Sequence, residues 1–159
     1  MSAMLGNYFY WQDRFDAAIP EYEAALRHDS GNPGVWKRLV VCYLYLGQLE
    51  RALPLYLSVL DHPPLECPSE NDSAGICPCQ KLLSRMERDC PPESRGPHCW
   101  LVLGMLWSFF DLPQSIACFE RARLDHPERT VLERVLTRLH QLDDNAHASP
   151  READTPTTP

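Results

Sequence analysis

The stretch Tyr22–Pro64, YEAALRHDSGNPGVWKRLVVCYLYLGQLERALPLYLSVLDHPP, carries its apolar residues in two bursts: Trp36, Leu39, Val40 and Tyr43 before Gly47, then Leu49, Ala52, Leu53, Tyr56, Val59 and Leu60 after it. Recurrence at i, i+3, i+4 and i+7 marks one face of a helix, and a glycine between two such runs marks a turn. The stretch therefore predicts a helix, a turn and a second helix. Part of it also repeats what precedes it. Leu5 and Leu39, Phe15 and Leu49, Ala18 and Ala52, Ile19 and Leu53, Pro20 and Pro54, Tyr22 and Tyr56, and Leu26 and Leu60 stand 34 positions apart. A fixed period of this size is the mark of a repeat architecture.

The small residues fit that division. Ala18, Ala25 and Ala52 fall where two helices approach to about 8–10 Å. With Asp16 and Glu50 at the start of the second helices, Pro20 and Pro54 are expected in the first turn, where a proline has little hydrogen bonding to forfeit. The turn formers in HDSGNPG and DHPP close each copy.

A 34-residue helix–turn–helix unit with Trp36, Leu39, Tyr43, Gly47, Ala52, Tyr56 and Pro64 in order resembles the tetratricopeptide repeat family. The copy Met1–Asn32 matches it through Leu5, Gly6, Asn7, Phe15, Ala18, Tyr22 and Ala25. A third copy has Leu103, Gly104 and Trp107 in its first helix and Ile116, Phe119, Ala122 and Pro127 in its second. Its step from Gly104 to Ser115 is one residue shorter than that from Gly6 to Ala18, so a tighter turn is expected. After it, Val131, Leu132, Val135, Leu136, Leu139 and Leu142 form the apolar face of a capping helix. Thr130 is its expected N-cap, with Glu133 completing a capping box. The resemblance implies an all-α, right-handed solenoid of about three hairpins plus that helix. Residues 1–64 form two repeats, 65–99 a Cys/Pro-rich insert, 100–142 the third repeat and cap, and 143–159 a disordered tail.

Within the insert, Leu82, Leu83 and Met86 predict a short helix over Gln80–Asp89, either the remnant of a degraded repeat or a helix within a long loop. Cys67, Cys77, Cys79 and Cys90 are candidate metal ligands, with His62 and His98 as substitutes. The single residue inside CPC is nevertheless a poor match to a C-x2-4-C zinc knuckle. Reduced, silent thiols are the leading expectation, with one or two disulfides or a thiol-responsive module as alternatives. Cys42 and Cys118 lie on apolar faces and are expected in the core. No cofactor is expected.

The family's register places Asn7, Tyr10, Trp11, Lys37, Val41, Leu44, Tyr45, Met105, Ser108 and Phe109 along the concave groove. That mainly apolar and aromatic surface implies a protein or peptide ligand, an amphipathic helix or an extended segment with aliphatic anchors. One subclass of the family grips a C-terminal carboxylate with a lysine and two asparagines. Asn7 occupies one of those positions, but Arg38 stands at the second, against such a clamp. Length, charge and repeat number also resemble the small acidic chaperones of type III secretion, to which the insert is foreign.

Other classes find less support. The net charge of −7, from 15 Lys and Arg against 22 Asp and Glu, and the lack of a basic run argue against nucleic acid. No apolar run approaches about 18 residues, so no membrane span is expected, and the start MSAMLGNYFYWQDRFD lacks signal-peptide character. A cytoplasmic protein is the expectation. His28, His62 and His126 fall at helix ends, where a cation suits the dipole, and no nucleophile–base motif or phosphate loop appears, so no enzyme is expected. Self-association through the open N-terminal face is a further expectation.

Overall fold

Asn32 shows why one helix of the second repeat begins where it does. In the computed structural model, which describes residues 2–29, 31–67, 77–126 and 129–153, its side chain accepts from Gly34 N at 3.1 Å and Val35 N at 3.4 Å. Pro33, next in line, needs no N–H there. The helix so capped, α3 (Pro33–Tyr45), pairs with α4 (Leu49–Leu60). Before them stand α1 (Ser2–Trp11) and α2 (Phe15–His28), and after them α5 (Pro78–Asp89), a short 3-10 turn (Pro92–Ser94), α6 (Pro97–Trp107), α7 (Leu112–Asp125) and α8 (Arg129–Ala153). No strand occurs among the described residues, and the solenoid-like helical fold is the one the repeats predict. No described helix is long and apolar enough to cross a membrane.

Three antiparallel hairpins, α1–α2, α3–α4 and α6–α7, form the body. The second packs on the first through α2 and α3, and α8 lies on α7 with a further contact to α4. The apolar face of α8 is covered through Leu132, Val135, Leu136 and Leu139, the seam expected of a cap. Arg138 adds an ion pair to Asp61 at 3.6 Å, worth little in its exposed setting.

The turn between the helices of each hairpin follows a rule the spacing only hinted at. Asp13 and Gly47, 34 positions apart, both take the left-handed conformation, with φ of 60° and 72°. In the third hairpin, residues 108–111 contain no such residue, so the missing position is the left-handed one. Asp tolerates this region better than most L-residues; glycine is at home in it. A Cβ on Gly47 would meet nothing within 4 Å. Gly47→Ala should therefore cost only the backbone term, about 1 kcal/mol in urea unfolding, and Gly47→Asn less. An alanine variant as stable as wild type would refute the turn rule.

Several expectations are corrected. Pro20 and Pro54 occupy the sixth position of their helices, beyond the first turn, so each removes a bond to the carbonyl four residues earlier. The buried residues around them, Ile19, Tyr22, Leu53 and Tyr56, hold the helices together across the gap. Thr130 lies inside α8, which begins at Arg129. The helix also runs through Ala153 instead of ending at 142, leaving only 154–159 of the expected tail outside the described residues. Once a helix is nucleated by a packed face, each added residue gains a bond at small cost. The insert helix begins at Pro78 and α6 at Pro97, both ahead of their expected starts, because proline is at home in the first turn.

Candidate interaction groove and cysteine cluster

The predicted groove residues come from α1, α3, α6 and the turn after α6, and most are covered. Tyr10, Lys37, Val41, Leu44, Met105, Ser108 and Phe109 are buried; Asn7, Trp11 and Tyr45 are half-buried. Their cover is largely the chain itself. After α4 the segment Pro63–Cys67 meets α3 and the turn after α6, and Leu65 is 7% exposed there. The Lys37 ammonium donates to Pro64 O at 2.5 Å and Glu66 O at 3.2 Å. Cys67 N donates to Phe109 O at 3.2 Å. On the far side of the undescribed residues, the Tyr45 hydroxyl donates to Pro78 O at 2.7 Å, while α5 packs on α6 and touches α3.

Several groove residues have specific roles in this arrangement. Tyr10 meets Trp11, Phe15 and Tyr22 edge-on. Tyr45 stacks on Phe15 with centroids 3.9 Å apart. Asn7 Oδ1 accepts from the Tyr22 hydroxyl at 2.6 Å and from Arg38 at 3.3 Å, tying the first hairpin to the second. Ser108 turns its hydroxyl onto Met105 O at 2.6 Å. Burial, opposed by the Glu66 carboxylate, lowers the Lys37 pKa. Burial, reinforced by the thiols of Cys79 and Cys77, raises that of Tyr10.

Three of the four candidate metal ligands come together beside this groove. The sulfurs of Cys67 and Cys77 are 3.1 Å apart, those of Cys67 and Cys79 3.2 Å, and those of Cys77 and Cys79 2.7 Å. All three residues are buried. Hydrogen bonds from Cys67 and Cys77, then burial, hold the Cys79 thiol far above its ordinary pKa. Cys90 does not belong to the cluster. It stands at the other end of α5, about 16 Å along the helix axis, with its sulfur 3.4 Å from that of Cys99. Neither proposed substitute joins the trio: His62 packs edge-on against Trp36, and His98 against His126. Cys42 and Cys118 are core residues, and burial pushes their thiols up to about 12 and about 11.

The part that sequence reasoning missed is the occupant. Pro63 and Pro64 showed that α4 must stop; nothing in their pattern showed where the chain would go next. Residues 12–66, from the first interhelix turn to the segment lying over Lys37, match the tetratricopeptide repeat family. No curated protein matches the chain.

Proposed function

We propose, from the premise that this is a tetratricopeptide repeat protein, that it is a non-catalytic adaptor whose concave groove takes an extended peptide of a partner protein. Interaction with other proteins is the general role of such repeats. The groove reading rests on one observation. The chain's own Pro63–Cys67 already lies there in the manner of a peptide ligand, with main-chain groups bonded to Lys37 and Phe109 and Leu65 as an aliphatic anchor. Extended ligands are recognised in this way, through backbone hydrogen bonds and an apolar side chain in a pocket. A partner segment of the same character would compete with the resident one.

Tyr10 is unsuited to test this, since its removal would open the core. Leu65→Asp is better, because it weakens the resident segment and leaves the groove intact. Panning a random 12-residue peptide library against this variant should enrich extended sequences with aliphatic anchors, bound at least tenfold more tightly than by wild type. Adding Lys37→Met, which keeps the apolar stem and loses the donor, should weaken those peptides about tenfold. Peptides indifferent to both changes, or no enrichment at all, would refute groove binding.

A further inference from the structure

We infer that Cys67, Cys77 and Cys79 form a zinc site that fastens the insert to the groove. Three thiols meet with sulfurs 2.7–3.2 Å apart in a buried position. They arrive from two sides: Cys67 from the segment after α4, Cys77 and Cys79 from the N-cap and second residue of α5, with Pro78 fixing the backbone between them. Neutral thiols gain little from one another, since S–H is a weak donor and sulfur a weak acceptor. As thiolates they would be soft ligands of the kind that select zinc or monovalent copper. The positive end of α5 lowers the cost of ionising the two cysteines that begin it.

A fourth coordination position favours zinc, which takes four ligands in tetrahedral geometry. The cationic side chains of Lys37 and Arg38 line the void beside Cys67 and Cys79, where they offset part of the thiolate charge. Zinc–sulfur bonds of about 2.3 Å in tetrahedral geometry set sulfurs about 3.8 Å apart, so the triangle must widen by about 0.6–1.1 Å. Modest side-chain rotations at a loop and a helix end can supply that. The fourth ligand would be water: a void with room for about one molecule is bounded by Tyr10, Lys37, Cys67, Cys79 and Phe109. In the binding step three S–H bonds break and three Zn–S bonds form; the ion keeps one of its waters, and the other waters and three protons pass to solvent.

The test uses the whole chain, reduced, stripped with a chelator, desalted and given one equivalent of zinc. Native mass spectrometry should find one zinc per chain, and maleimide labelling should find Cys67, Cys77 and Cys79 shielded while Cys90 and Cys99 react. Cys67→Ser and Cys79→Ser should each weaken zinc at least tenfold in chelator competition, whereas Cys90→Ser should not. The labelling result stands on the wild-type chain, so it holds even where a serine variant fails to fold. No retained zinc, a disulfide among the three, or shielding confined to Cys90 and Cys99 would each overturn the site. Peptide capture by Leu65→Asp is measured without zinc, so either idea can fail alone.

Discussion

Phe119→Ala is expected to destabilise the protein by about 3–5 kcal/mol, the range for emptying a fully buried aromatic site. The ring has no exposed surface and is held from two sides. On one side lies Gly104 in its own hairpin, where an added Cβ would come within 2.8 Å of it. On the other is Tyr56 of α4, also fully buried, with ring centroids 5.9 Å apart and planes at 28°. Phe119 thus completes the third hairpin and joins it to the second. Stability in a repeat array is approximately a sum of unit and interface terms, so this change subtracts from both. Against a total of about 5–15 kcal/mol, the two halves should uncouple. Trp11 and Trp36 stand in the first two hairpins and Trp100 and Trp107 in the third, so fluorescence of single-tryptophan versions reports on each half. Urea titration should give a lower midpoint and separate transitions. A loss under about 1 kcal/mol, with coincident transitions, would refute this account of the junction.

Side chains that recur carried most of the fold in readable form. Tyr22 and Tyr56 announced equivalent helices because a packed hairpin demands the same large residue at the same place. Phe119 was readable as the third member only through Gly104, since the turn between them had lost a residue and Ser115 had replaced the alanine. In the structure the Ser115 hydroxyl donates to Gly104 O at 2.6 Å, so the substitution is accommodated within the helix pair and the register is settled. The insert was not readable in the same way. Its place depends on Lys37 reaching carbonyls 27 and 29 residues further on, and a long-range contact of that kind leaves no periodic trace. The cysteines were visible as residues but not as a trio. CPC is a poor knuckle by spacing alone, and only the fold brings Cys67 to it. Composition misjudged the start of the tail because residues after Leu142 are polar, yet nothing in DDNAHAS breaks a helix already under way.

Gly104→Ala puts two effects of opposite sign in competition. In an exposed helix the change would stabilise by about 1 kcal/mol, since glycine loses more backbone freedom on folding. Here the new methyl would sit 2.8 Å from two carbons of a Phe119 ring that has no free space to retreat into. Overpacking of this kind costs about 1–3 kcal/mol, so a net loss of about 1–2 kcal/mol is expected. Gly6→Ala should behave alike, because its Cβ would come within 2.7 Å of the buried Tyr22 ring. The second hairpin supplies the contrast: Val40 occupies the equivalent place, fully buried, in the hairpin that contains Tyr56. A branched side chain is therefore compatible with the fold where the helix pair was built around it. What alanine meets at Gly104 is a ring already in position, and the cost should vanish when the ring shrinks. Placing Gly104→Ala in a Phe119→Leu background should remove most of the penalty, giving a coupling of about 1 kcal/mol or more in a double-mutant cycle. Additive losses, or a stabilised single variant, would mean that the glycine is not what sets the closeness of the two helices.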